Sequence, residues 1–290
     1  MLFRSHACAA CQRRIGRGLM SVPRASMQDF YSHSRPQPLN QADGLRRMFA
    51  GRRRCVLPLV ANPFVAFSGL VLDRLAAVLA AQGREVLVVD ASSASPPPHE
   101  MAALELSACI ERVGKRLSYL PAAGLPTAYV DTRGCAGRFI DALQAAAPQA
   151  DVILLHADAA DLVRILKRRA ARPVLIGADH PNSIKHAYAG AKLLAQRCSL
   201  MTFDLLLAAS PQSPRAAAIT QSLAGCAETF LSSTLCHAAL IDPAEQAGAD
   251  ADDALSELLA AQVALDETHD TLGMAAVPLR SLHSARPALR

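Results

Sequence analysis

Two stretches of this chain, Val152-Ile-Leu-Leu-His156 and Phe203-Asp-Leu-Leu-Leu207, are apolar at nearly every position. A strand with one face in water alternates apolar and polar residues. A strand without that alternation must be covered on both faces, as in a parallel sheet with helices on either side. Similar runs recur, giving candidate strands at 55–60, 85–90, 152–156, 174–177, 202–208 and 238–241. Between them lie candidate helices at 70–82, 98–113, 136–147, 159–169, 183–197 and 214–230. Strands alternating with helices predict an α/β fold with a doubly wound, mostly parallel sheet. Ligands of such sheets sit beyond the carboxyl ends of the strands. The loops to inspect are therefore 61–69, 90–94, 156–158, 177–182 and 208–213.

The 290 residues suit one large domain with extensions. The spacing places the α/β domain at 55–243, followed over 244–290 by a linker, a short helix at 254–265 and a basic tail. That helix is apolar with acidic flanks and no Lys or Arg inside, so it is expected to pack on the body. No apolar run approaches the ~18 residues that a membrane-spanning helix needs.

Charge is unevenly spread. The whole chain is +5, whereas residues 1–54 hold 11 Arg and 2 Asp, net +9, so the remaining 236 carry about −4. Residues 1–39 read as a flexible basic arm, either simply solvated or touching an anionic partner. It carries no recognisable DNA-binding motif, so nucleic acid is not an expected partner. The arm is also Arg-rich and acid-free over its first 26 residues, as transit peptides are. A start at Met20 or Met27 is the simpler account, and Met27 is preferred. Cys8 and Cys11 form one knuckle beside His6, whereas structural zinc needs four ligands, so no metal is expected. The other six cysteines lie in apolar or helical contexts, which suits a reducing, cytoplasmic setting.

The first loop, Ala61-Asn-Pro-Phe-Val-Ala-Phe-Ser-Gly69, joins a strand to a helix. A strand–loop–helix of this kind is where phosphate is commonly bound. Such loops need small residues, so that backbone N–H groups can curl round phosphate oxygens, together with a lysine and a hydroxyl for Mg²⁺. This loop has no lysine, and its single glycine is its last residue.

The order of pieces resembles the MinD/ParA-like deviant P-loop ATPases, and within them the FlhG-type flagellar number regulators, over roughly residues 40–243. The family motif K-G-G-x-G-K-[ST] aligns without a gap. Pro63 falls on the first lysine, Phe64, Val65 and Phe67 on the glycines, Ser68 on the second lysine and Gly69 on the Mg²⁺-binding hydroxyl. Asn62 immediately precedes the motif. Downstream, Gly83-Arg-Glu-Val-Leu-Val-Val-Asp90 keeps the first Asp of a D-x-D pair, but the second is Ser92. The next acidic strand end is His156, and the base-contacting Asn position reads Ala-Ala at 208–209. The resemblance therefore implies a pseudo-ATPase that expects no cofactor, with Phe64 and Phe67 packed into the old phosphate hollow. ATP with Mg²⁺ would be the cofactor if the loop still worked. The helix Asp179-His-Pro-Asn-Ser-Ile-Lys-His-Ala-Tyr-Ala-Gly-Ala-Lys192 keeps the family's Pro, Ala-Tyr and Lys positions, with Asn182 or Ser183 expected as its N-cap.

Upstream, Asn40-Gln-Ala-Asp-Gly-Leu-Arg-Arg47 is similar to the D-Q-A-x-x-L-R segment of FlhG proteins. The resemblance implies a partner-binding helix over 40–54 that docks on a FlhF-type signal-recognition GTPase and stimulates it. Gln41 would orient the attacking water and Arg46 would stabilise developing charge, with Leu45 and Phe49 as apolar anchors. It also implies control of flagellar number or placement, flagellar basal-body or C-ring partners, and a position at the inner face of the plasma membrane or the cell pole. Only weak membrane contact is expected, since the acidic flanks of helix 254–265 oppose anionic lipid. The alternative is an active MinD/ParA-like ATPase that uses an atypical loop and cycles on the membrane.

Overall fold

The computed structural model describes residues 54–210, 212–244 and 253–273. The segment with Gln41, Arg46, Leu45 and Phe49, and the Cys8/Cys11 knuckle, lie outside the described residues.

Eight strands form one sheet: β1 (Cys55–Val60), β2 (Val86–Ala91), β3 (Glu111–Arg112), β4 (Leu117–Pro121), β5 (Val152–Ala157), β6 (Val174–Ala178), β7 (Thr202–Ala208) and β8 (Thr234–Ile241). Their order is β3-β4-β2-β5-β1-β6-β7-β8. All neighbouring pairs are parallel except β3 with β4. The helices are α1 (Ser68–Ala81), α2 (Arg138–Ala146), α3 (Ala159–Leu166), α4 (Pro181–Cys198), α5 (Ala216–Leu231) and α6 (Asp253–Gly273).

Strand periodicity divides the core in two. Leu57, Leu59, Val86, Val88, Val152 and Leu154 face α1 and α6. Leu87, Val89, Ile153, Leu155 and Leu205 face α2, α3, α4 and α5. The β5 and β7 runs are apolar because both of their faces are covered. Gly190 lets α4 lie close to the sheet, since a Cβ there would meet Val60 Cγ1 at 3.0 Å. The C-terminal helix α6 packs on the body through Leu255, Leu258 and Leu259, which are almost fully buried.

Two expectations fail. The segment 98–113 is not a helix. It forms short 3-10 turns at Glu100–Ala103 and Ser107–Cys109 and then the two-residue strand β3. It buries only Ala102 and Leu106, and leaves Met101 and Leu104 exposed, so no apolar stripe holds a helix there. Strand β4 follows, a sheet strand that the apolar runs did not announce. Its burial alternates between full and partial, and Ser118 and Tyr119 interrupt its hydrophobicity.

Candidate functional site

The carboxyl end of the sheet brings together the loop after β1, the end of β2 and the end of β5. The loop turns on Asn62, which is 4% exposed. Its Nδ2 donates to Ile176 O at 2.8 Å, to Ser183 O at 2.9 Å and to Ser183 Oγ at 3.0 Å. Its Oδ1 accepts from Phe64 N at 3.1 Å, and its carbonyl accepts from Val65 N at 3.1 Å. Asn62 thus fastens the loop to β6 and α4, and it engages two of the amides nearest the strand end.

The two phenylalanines do not fill the phosphate hollow, contrary to the expectation above. Phe64 is 47% exposed and meets His186 edge-on, with ring centroids 5.9 Å apart. Phe67 is 76% exposed and sits in the left-handed region, φ 60 and ψ 41, just before α1. The buried apolar residue of the loop is Val65. Because Asn62 draws the backbone of residues 64 and 65 inward, the aromatic side chains point outward. Pro63 and Gly69 are exposed and Ser68 is half-buried, and nothing lies within 4 Å of a Cβ built on Gly69.

Asp90 and His156 are register partners at the ends of adjacent strands. His156 is buried, and its Nδ1 lies 2.8 Å from Asp90 Oδ1. The carboxylate has no proton to give, so Nδ1 is the donor. Ser92 donates to the same oxygen from Oγ at 2.9 Å and from its amide at 3.3 Å. Burial works against the charged form of Asp90. The hydrogen bond and charge of His156, with both Ser92 donors, outweigh it and hold the carboxyl below its ordinary value. His156 Nε2 is buried and has no hydrogen-bond partner.

The start of α4 also differs from expectation. The N-cap is His180, whose Nδ1 accepts from Asn182 N at 3.3 Å, with Pro181 as the first helical residue. Ser183 is instead fully buried. Its Oγ accepts from Ala178 N at 2.9 Å and from Asn62.

These residues do not fit a nucleotide with Mg²⁺. Residues 61–69 contain no cation, and Asn62 takes the amides of Phe64 and Val65. Asp90, the carboxylate kept at a motif position, is shared between a buried imidazole and Ser92, and Asp158 after β5 accepts from Ser93 N at 3.1 Å. Among the described residues, no group of three or more His, Cys, Asp or Glu is placed to hold a metal ion. No helix among them is long and apolar enough to cross a membrane. No disulfide joins the six described cysteines.

Sequence reasoning missed a second buried cluster at the opposite end of the sheet. Asp204 is fully buried on β7. Its Oδ2 lies 3.0 Å from Arg172 Nε and accepts from Gln262 Nε2 at 2.7 Å, and its Oδ1 accepts from His237 N at 3.0 Å. The signal was a lone Asp inside an apolar strand, which must be paired to be tolerated.

No family model and no curated protein matches the chain. Solved structures do. A plasmid partition protein from Borrelia burgdorferi B31, bound to AMPPNP, matches with TM-score 0.50 at 9% identity, over 74% of this chain and 99% of that one. A chain of the MinC:MinD cell division protein complex of Aquifex aeolicus matches with TM-score 0.48 at 13% identity, over 78% and 98%. Cobyrinic acid a,c-diamide synthase from Mycobacterium smegmatis, with bound ATP analog and magnesium, gives 0.48 at 20%, over 76% and 97%. At such identities the likeness is one of fold. The fold shared with the plasmid partition protein is the doubly wound, mostly parallel α/β sheet.

Proposed function

We propose that this chain is a MinD/ParA-like regulatory protein that has given up ATP turnover and acts through partner contacts. The observation that carries the reading is the closed state of the strand-end site. Asp90 is satisfied by His156 and Ser92, and Asn62 fixes a loop that has neither lysine nor a free-turning glycine bend. A site built to receive phosphate keeps donors open; this one spends them on itself.

The finer reading rests on sequence. Gln41-Ala-Asp-Gly-Leu-Arg46 supports a FlhG-like role, in which the segment stimulates a FlhF-type GTPase and so governs flagellar number or placement. Gln41 orients the attacking water and Arg46 stabilises developing charge, with Leu45 and Phe49 in a groove of the partner. Two measurements test this. Calorimetry of the full-length protein with ATP and Mg²⁺ should show no binding; clear Mg²⁺-dependent binding would restore the active ATPase reading. The full-length protein should raise GTP turnover of a FlhF-type partner, and Gln41→Ala should abolish the increase. Absence of any stimulation would overturn the FlhG-like role.

A further inference from the structure

Arg54, Arg168, Arg169 and Arg172 gather at the amino ends of β1 and β6, far along the sheet from the Asp90 site. Two adjoining clefts open there, of about 540 and 530 Å³, and Val56 and residues 168–171 line both. Volumes of that order are typical of small-molecule sites.

The arginines are not all accounted for by their neighbours. Arg169 donates to Asp141 Oδ1 at 2.6 Å, and Arg54 Nη2 to Pro148 O at 2.8 Å. Arg172 Nε is within ion-pairing distance of Asp204, but neither Nε nor Nη2 makes an aligned hydrogen bond. Among the described residues, five buried side-chain nitrogens or oxygens lack a hydrogen-bond partner. Three of these are Arg54 Nε, Arg172 Nε and Arg172 Nη2. Buried donors are ordinarily satisfied, so these guanidinium groups keep donors to offer a ligand. Arg168, which lines both clefts, is exposed and held at φ 70, a backbone conformation that costs a non-glycine residue.

The charge count selects the ligand. Among the described residues that line the clefts, Arg169 pairs with Asp141 and Arg172 with Asp204, and Arg54 and Arg168 add two further positive charges. Capping of α3 does not explain the set, because Arg54 and Arg172 lie outside that helix's last turn. Guanidinium groups present planar, forked donors that match phosphate oxygens, and a phosphate dianion balances the excess. We propose that the paired clefts bind the phosphate group of a small ligand, with Arg54, Arg168 and Arg172 as its contacts. This inference does not depend on the function proposed above.

The test is calorimetry of the full-length protein with inorganic phosphate and pyrophosphate at constant ionic strength. Arg172→Gln would leave Asp204 buried without its cation and could fail to fold, so the variants are Arg54→Gln, Arg168→Gln and their combination. The expected result is one site per chain, weakened at least about tenfold in the double variant. Arg215→Gln, which removes a charge at the other end of the sheet, should bind like the unaltered protein. Three results would overturn the proposal: no binding at millimolar phosphate or pyrophosphate, equal binding by the double variant, or equal weakening by Arg215→Gln. Binding of a DNA duplex or of phosphatidylglycerol vesicles, with none of phosphate or pyrophosphate, would overturn it as well.

Discussion

His156 Nδ1 lies 2.8 Å from Asp90 Oδ1, and the two residues face each other in register across the parallel strands β2 and β5. A carboxylate at a strand end of this fold is well placed to serve a bound ligand. Here it serves the protein. The imidazole is 2% exposed and the carboxylate side chain 15%, so their attraction acts with little screening by water.

The pairing makes acid stability measurable. Asp90 is held below its ordinary value of 3.8, against the opposing effect of burial. A depressed carboxyl contributes stability that is present above the unfolded value and is lost as pH falls through the folded one. Asp90→Asn should therefore cost about 1–3 kcal/mol at pH 7. The cost should begin to shrink below about pH 4, where the unfolded chain's carboxyl takes up a proton, and go on shrinking as pH falls through the lower folded value. Urea unfolding from pH 3 to 7 checks this, and parallel pH profiles for the two proteins would contradict it.

Asn62 joins three elements through a single amide, so its removal should be disproportionately harmful. Asn62→Ala strips Ile176 O and Ser183 of a donor, and Phe64 N of its acceptor. Each buried orphan costs about 1–3 kcal/mol, so the total loss should exceed 2 kcal/mol. Ser183→Ala should lose less, about 1–3 kcal/mol, since Asn62 keeps its two carbonyl partners and Ala178 N alone is left without its acceptor. Equal losses in chemical denaturation would mean that the shared network is not what holds the loop.

Phe67 is exposed and left-handed, a combination that native packing does not require. The left-handed region costs a residue with a Cβ about 1–2 kcal/mol, and glycine gives back roughly 0.5–1 kcal/mol in chain entropy. Phe67→Gly should therefore stabilise the protein by up to about 1 kcal/mol, read as a rise in melting temperature of a few degrees. A fall would contradict this account of Phe67.

The sheet was legible because five of its strands are apolar runs buried on both faces, and Val152–Leu155 shows this most plainly. The β3–β4 side was not. Strand β4 carries Ser118 and Tyr119, and residues 98–113 have helix-forming composition but nothing to pack a helix against. Propensity is a weak prior where no buried stripe supports it. At the candidate site the sequence located Asp90, Ser92 and His156, since strand ends can be counted. It could not tell which way a side chain leaves a tight loop. Asn62 drew the backbone inward, and the two phenylalanines went out instead of in. Ser183, read as a cap, proved to be a buried link, because His180 at the preceding turn already serves the helix start. The arginine clefts were hidden for another reason: Arg54 and Arg172 are far apart in sequence, and the pairing of β1 with β6 brings them to the same end of the sheet.

At the far end of the sheet, Asp204 ties the C-terminal helix to the core, and its loss should loosen that helix before the rest. Its carboxylate meets Arg172, His237 and Gln262, which come from the approach to β6, from β8 and from α6. Gln262 also donates to Arg172 O at 2.8 Å. Asp204→Ala leaves the mostly buried Arg172 uncompensated, and breaking such a pair costs about 3–5 kcal/mol. Gln262→Leu keeps the volume and leaves the carboxylate its cation, so about 1–2 kcal/mol is expected. If the two residues act through one another, the double variant should fall short of additivity by about 0.5–3 kcal/mol. Hydrogen exchange should show the amides of α6 opening first in both single variants. Strict additivity, with α6 amides as protected as in the unaltered protein, would assign the docking of α6 to Leu255, Leu258 and Leu259 alone.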